Sequence, residues 1–417
     1  MKAVSKTKTH SGDNIKGPSL FRILVFAIPL TIFIVMLTIG ISAEGSQQFA
    51  DLSQAFLHGQ TNFLHSIGGQ GQDPVFYNGK IYWDEGPFPS ITLMPFMAVF
   101  DLFHIFFYQG YIKWAFVLAT TYFIFRLSRQ LGYSVRESWL WIFGFTLGSV
   151  YIGVNSVSSG WLYAQVVNTA LMFWVLYEYR KPKKNWWLIG VITSMIFLTR
   201  IPAAAIALVF LLDILYTKAS VRQKIYNIAK IGVCLCITAT LIALYNYQRF
   251  GDPFSNGNKY QLLSPESSQA RSLGLFSPVH IPTNLYTFLL RGPNIVTRTS
   301  TSWTLKFPYI QNNELGMSTI LISPYLLYFF LVSWKKYPRE VKFLLFAAAL
   351  GAITVFSYFG DGADQFGYRY SLDFLPEIFL ALMILYKQER KRITGGMEFL
   401  LLASGVFDFL MVLSYIK

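Results

Sequence analysis

Apolar runs of about twenty residues recur along the whole chain, near 23–42, 109–126, 138–155, 161–178, 186–200, 202–217, 226–247, 318–334, 342–359, 371–386 and 396–415. In lipid no water is present to bond the backbone, so each run must satisfy its own N–H and C=O groups, as a helix does. The apolar/polar alternation of a membrane barrel is absent. Of the 417 residues 53% are hydrophobic and only 13% charged, against about 25% charged in soluble domains. The pattern therefore predicts an all-α integral membrane fold with about eleven transmembrane helices.

The formal net charge is +14. In a soluble chain that excess suggests nucleic acid. Here the basic residues cluster between apolar runs: at the N-terminus, at Arg126–Arg136, Arg180–Lys184, Lys218–Lys224, Lys335–Arg339 and Lys387–Arg392. Short loops rich in Lys and Arg stay in the cytoplasm, so no nucleic-acid partner is expected, only the bilayer. Placing all six clusters inside puts the N-terminus in the cytoplasm. The run after Lys2, Lys6, Lys8, Lys16 and Arg22 is longer than a leader's apolar region of roughly 7–15 residues, which makes it an uncleaved first span. Cys234 and Cys236 point to different helix faces and indicate neither a disulfide nor a metal pair.

This topology makes residues 1–417 a single polytopic domain with two long outer segments, a first outer loop at 43–108 and a second at 248–317. The apolar stretch Pro87–Phe107 would invert the loops that follow if it crossed. With Pro87, Pro89, Pro95, Asp101 and His104 it reads instead as an outer-face juxtamembrane helix. The outer segments are where chemistry is expected.

Their charges are opposed. The first carries Glu44, Asp51, Asp73, Asp84 and Glu85 against a lone Lys80. In FADLSQAFLHG, Phe49, Leu52, Phe56 and Leu57 follow helical spacing, and Glu44 and Asp51 share the other face two turns apart, about 10 Å. The second carries Arg249, Lys259, Arg271, Arg291, Arg298 and Lys306. Arg200 and Arg369 stand at the outer ends of spans, where an arginine either snorkels to headgroups or joins a phosphate site. A carboxylate can take the proton of a hydroxyl nucleophile. Fixed cations can hold a phosphate as it leaves. Within YNGKIYWDEGPFPS, Asn78-Gly79 predicts a turn, Tyr82 and Trp83 suit the headgroup layer, and Pro87 opens the next helix. Lys80 is a candidate for a phosphate or acid partner, and Asp84 and Glu85 for substrate hydroxyls or a metal. Glu44 at a helix start also serves as a plain cap. His58, His65 and His104 match no metal-ligand spacing. Asp373 and Glu377, one turn apart in a span, are either functional or water-facing.

Four pieces carry a resemblance: Glu44-Gly45 before FADLSQAFLHG, YNGKIYWDEGPFPSITLMPFMAVF, YNYQRFGDPFSNG and FGYRYSLDFLPE. In this order and on these sides of the membrane, they resemble the polytopic C-type glycosyltransferases, among them protein O-mannosyltransferases and aminoarabinose transferases. The resemblance implies a bacterial inner-membrane, multi-pass enzyme with its active site on the outer face. It implies a polyprenyl-phosphate sugar donor, a glycan, lipid or protein acceptor hydroxyl, inversion at the anomeric carbon and a carboxylate base. No cofactor is certain, and a divalent metal is the one candidate. Carried onto this chain the base is Glu44 or Asp51, and Ala43 stands where the family often has Asp. The substrate-binding candidates are Lys80, Asp84, Glu85, Arg200, Lys259, Arg271, Arg291, Arg298 and Arg369. A multi-pass transporter or flippase of a lipid-linked or small anionic substrate is the alternative. It would call for inverted repeats and broken helices near the midplane, and no internal repeat is visible. A non-catalytic scaffold would not need opposed outer loops.

Overall fold

The computed structural model describes residues 20–42, 45–65, 74–299 and 304–415. After α1 (Leu20–Ser42) the chain enters its first polar segment, with α2 (Gln48–Leu57), a hairpin of β1 (Val75–Tyr77) and β2 (Lys80–Tyr82), and α3 (Phe88–Asp101). The spacing marks α2 as a helix, with Phe49 and Leu52 buried, but Leu57 is exposed and Gln48 is buried in its place. The hairpin register pairs Tyr77 with Lys80. Asn78 and Gly79 carry φ of 49° and 75°, the doubly positive turn that lets two antiparallel strands meet with their natural twist. Pro87 is the N-cap of α3, and its missing N–H is one the first helical turn would leave unpaired anyway. At 14 residues α3 is about 21 Å long, short of a bilayer crossing.

The bundle follows as α4 (Gly110–Gln130), α5 (Val135–Thr146), α6 (Tyr151–Ser156), α7 (Gly160–Tyr179), α8 (Trp186–Phe197), a 3-10 stretch Ile201–Ile206 leading into α9 (Ala207–Tyr216), and α10 (Val221–Phe250). The second polar segment carries α11 (Pro265–Ser272), α12 (Ile281–Leu289) and a hairpin of β3 (Asn294–Thr297) and β4 (Leu305–Gln311). The chain ends with α13 (Thr319–Ile322), 3-10 turns at Pro324–Leu331, α14 (Arg339–Phe356), 3-10 turns at Arg369–Asp373, α15 (Leu375–Arg390) and α16 (Gly395–Tyr415). α7 and α15 are buried nearly all round and form the centre of the core, where Trp141, Phe145, Phe173 and Phe379 pack ring against ring.

The fold is mostly helical, yet it corrects the all-α expectation: each polar segment holds a two-stranded hairpin. Strands of three to seven residues are too short to leave an alternation signal among aromatic loop residues. Among the described residues, two helices, Val221–Phe250 and Gly395–Ser414, are long and apolar enough to cross a membrane. The first is about 45 Å long, lies in mid-chain, and leaves Val233, Ile237, Leu241 and Leu244 exposed. An apolar surface of that length, uncovered by the protein, is of the kind that lipid or another apolar partner covers.

Other expected spans are interrupted. The run 138–155 breaks between α5 and α6, where Gly148 approaches α16 so closely that a Cβ would meet Ser404 Cβ at 2.8 Å. The carbonyls freed at the break are satisfied internally: Tyr325 OH donates to Gly144 O (2.9 Å) and Gly148 O (3.0 Å), and Ser323 Oγ donates to Gly148 O (2.8 Å). The run 318–334 is short α then 3-10, because Pro324 cannot donate the backbone bond a continuous helix needs. The runs 186–200 and 202–217 form a helical hairpin whose tip is the segment Thr199–Pro202. α8 rises only about 18 Å to that tip, while its neighbour α7 rises about 30 Å. The tip is therefore recessed below the N-terminal end of α7, and this positions the site.

Candidate active site

A cleft of about 210 Å³ opens above the recessed tip. Its walls come from six places: Asp84–Pro87 of the first polar segment, Phe197 and Thr199–Pro202, the C-terminal end of α10 (Ile242, Tyr245, Asn246, Arg249), Asn256, Asn258 and Phe276 of the second polar segment, the end of α14 with Tyr358, and Tyr370 of the 3-10 turns at Arg369–Asp373. The first segment is held down by backbone contact. Phe88 N donates to Leu198 O (3.2 Å), and a Cβ on Gly86 would fall 2.0 Å from that same oxygen. Only glycine lets the Asp84–Glu85 turn sit on the tip.

The cleft floor is an ion network. Arg200 Nε and Nη2 donate to Asp373 Oδ1 and Oδ2 at 2.9 and 2.8 Å, and Nη1 donates to Glu85 Oε1 at 3.2 Å. Asn168 Nδ2 donates to Asp373 Oδ1 at 3.5 Å. Asp373 is fully buried, while Arg200 and Glu85 keep 10% and 19% of their side chains exposed toward the cleft. Burial pushes the Glu85 carboxyl above its ordinary range, opposed by Arg200 and reinforced by Asp373. Arg369 is buried beside this group. Its Nη1 donates to Ala363 O (3.0 Å), its Nη2 to Tyr370 OH (3.4 Å), and its guanidinium lies 5.1 Å from the Tyr370 ring.

The opposite wall holds Arg249, only 5% exposed. Nη1 donates to Trp83 O (2.6 Å), Nη2 to Asn246 Oδ1 (2.7 Å), and the guanidinium stacks 3.9 Å from the Tyr245 ring. Among the described residues no carboxylate lies within ion-pair distance of it. Asp84, on the same rim, acts on it electrostatically and accepts from Gln261 Nε2 at 3.2 Å. The lower wall is apolar, with Phe197, Ile242, Phe276 and Val355. The arrangement places a carboxylate, a cation not neutralised by an ion pair, amide groups and an apolar lower wall around one space.

Of the candidates read from the sequence, Asp84, Glu85 and Arg200 line the cleft and Arg369 backs it. Arg271 is one step removed, its Nη1 3.5 Å from Gln261 Oε1. The others stand elsewhere. Lys80 is exposed on the hairpin. Lys259 is exposed over the Tyr260 ring. Arg291 is tied to Asp361 (3.2 Å) and Leu315 O (2.9 Å). Arg298 is exposed at the end of β3. Asp51 does not line the cleft; it is half-buried on α2, where burial raises its pKa to about 6 against the pull of His65. Glu44 lies outside the described residues. Among those residues no group of three His, Cys, Asp or Glu comes together. Arg249 was counted among the basic residues of the second segment but not among the candidate site residues, and Tyr245 and Asn246 were not singled out, although their i,i+3 and i,i+4 spacing at the polar end of a long apolar run puts them on one helix face.

No family model and no curated protein matches the chain. Solved structures similar to it include ArnT from Cupriavidus metallidurans in the apo state, at 13% identity over 87% of this chain and 59% of that one, with a TM-score of 0.47. The same protein bound to undecaprenyl phosphate matches at 12% identity over 88% and 60%, TM-score 0.45. The oligosaccharyltransferase AglB from Archaeoglobus fulgidus, in complex with an inhibitory peptide and a dolichol-phosphate, matches at 10% identity over 92% and 55%, TM-score 0.46. Both are C-type glycosyltransferases, the superfamily whose motifs the sequence resembles. The chain spans less than two thirds of the length of each. A likeness this distant transfers no residue's role.

Proposed function

We propose that this chain is a multi-pass membrane glycosyltransferase that moves a sugar from a polyprenyl-phosphate donor to an acceptor hydroxyl in the cleft, at the outer face of a bacterial inner membrane. The observation that carries the reading is Arg249: a buried guanidinium without an ion-pair partner among the described residues, facing a cleft whose lower wall is apolar. Such a cation suits a phosphate on an apolar chain, since a buried guanidinium whose hydrogen-bond partners are neutral gains most when an anion arrives. Arg200 is already neutralised by Asp373 and Glu85 and holds the floor in place.

In the proposed step the acceptor oxygen attacks the anomeric carbon and the bond to the phosphate oxygen breaks. Polyprenyl phosphate leaves with the electron pair, and a carboxylate takes the acceptor proton. Asp84 suits that base, because it lines the cleft and Glu85 is held by Arg200. Glu44 and Asp51 remain the bases that the family resemblance implies. The test is the purified full chain in vesicles, supplied with radiolabelled polyprenyl-phosphate sugars and bacterial envelope acceptors. Label in the acceptor supports transfer, and Asp84→Asn is then expected to lower kcat by about 10²–10⁴-fold. Donor crossing the vesicle membrane without any transfer would overturn the reading in favour of a transporter.

A further inference from the structure

A second cavity, of about 320 Å³, lies at the other end of the bundle. It forms where α7 ends, α9 ends and α14 begins, and its border is Tyr179, Arg180, Lys184, Asp213, Arg339 and Glu340. α7 and α14 both run from this cavity toward the cleft end. α14 borders both, and the 15 residues from Arg339 to Thr354 set the cavity and the cleft wall about 22 Å apart. With the cleft recessed into one side of the bundle, this cavity falls at the opposite headgroup layer.

Its charges do not cancel. Arg180 pairs with Glu340 and Lys184 with Asp213. Arg339 has no carboxylate partner among the described residues. Its Nη1 reaches only Tyr216 O, at 3.4 Å, and its guanidinium lies 5.9 Å from the Tyr216 and Phe343 rings. One positive charge is left over, which a single phosphodiester would neutralise. Along α14, Phe343, Phe346 and Leu350 follow Arg339 on one helix face, and Phe346 and Leu350 are exposed. A cation therefore heads an apolar stripe that runs toward the opposite leaflet.

We propose that this cavity binds the phosphodiester headgroup of an anionic phospholipid in the leaflet opposite the cleft, with Arg339 holding the phosphate and the exposed face of α14 carrying the acyl chains. Basic pockets between membrane helices bind such headgroups. Inorganic phosphate shares the head chemistry but has no chain for the stripe. The proposal needs membrane placement and not glycosyl transfer, so the cleft's reading stands or falls separately.

The test uses the delipidated full chain in detergent, titrated with phosphatidylglycerol or phosphatidylcholine and read by native mass spectrometry. One phosphatidylglycerol is expected to be retained in preference to phosphatidylcholine. Arg339→Gln should weaken it about fivefold, and Arg339→Lys should keep most of the affinity. Lys218→Gln, a charge change at an exposed position outside the cavity, should bind as the wild type does. Equal retention of the two lipids, wild-type affinity in Arg339→Gln, or displacement of phosphatidylglycerol by equimolar inorganic phosphate would each overturn the proposal.

Discussion

Replacing Arg200 by Met tests the ion network under the cleft. The guanidinium contacts Asp373 through two nitrogens and Glu85 through a third, with side chains 10%, 0% and 19% exposed. Methionine fills similar volume but leaves two carboxylates in a site that water barely reaches. Removing one partner of a buried pair costs about 3–5 kcal/mol, because the remaining charge keeps its desolvation penalty. The companion variant R200M/D373N/E85Q removes the charges together and should recover most of that loss.

The pH dependence has a definite sign. Burial already raises Glu85, opposed by Arg200, so losing the arginine raises it further. A carboxyl whose folded pKa lies above its unfolded value favours folding below the unfolded pKa and loses that contribution as pH rises through the folded one. The R200M deficit should therefore shrink as pH is lowered from about 8 to about 5. Unfolding in mixed micelles with increasing SDS, followed by far-UV circular dichroism at several pH values, measures both effects. A deficit below about 0.5 kcal/mol, the range of ordinary surface changes, or one that grows toward low pH, would refute the network's role.

Arg249→Gln should raise the KM for a polyprenyl-phosphate donor about 10–100-fold with a smaller change in kcat, as a charged hydrogen bond is worth about 1.5–3 kcal/mol; initial rates across donor concentrations decide it. Gly86→Ala puts a Cβ 2.0 Å from Leu198 O, so the Asp84–Glu85 turn must lift from the tip; transfer should fall sharply and the unfolding midpoint drop. Asp51→Asn should leave stability unchanged below pH 4, since the wild-type carboxyl is then protonated. As pH rises from the ordinary 3.8 through about 6 the wild type loses stability and the variant does not, a gap of at most about 3 kcal/mol read from the same micelle titration.

Much of the local structure was legible in the sequence because it depends on neighbours along the chain. Helical spacing marked α2, the Asn78-Gly79 pair marked the turn, and Pro87 marked the start of α3. The lysine and arginine clusters also separated the two polar segments that both reach the cleft. The candidate site was legible in part: Asp84, Glu85, Arg200 and Arg369 belong to or back the cleft, while Lys80, Lys259 and Arg298 are exposed and Arg291 is committed to Asp361. An arginine's residue type does not reveal whether a carboxylate already neutralises it. That depends on partners such as Asp373, 173 positions from Arg200.

The sequence by itself determined a helical chain rich enough in apolar runs to demand lipid, punctuated by polar segments of opposite charge, because hydropathy and charge are local properties. Only the tertiary structure decided where the runs break and which cation remains without an ion-pair partner. Gly148 breaks a run because another helix presses on it and Tyr325 and Ser323 satisfy its carbonyl. Arg249 became the leading phosphate candidate because its nearest partners are a carbonyl, an amide and an aromatic face. Burial and pairing are properties of three-dimensional neighbours, and for this cleft those neighbours come from six separate stretches of the chain.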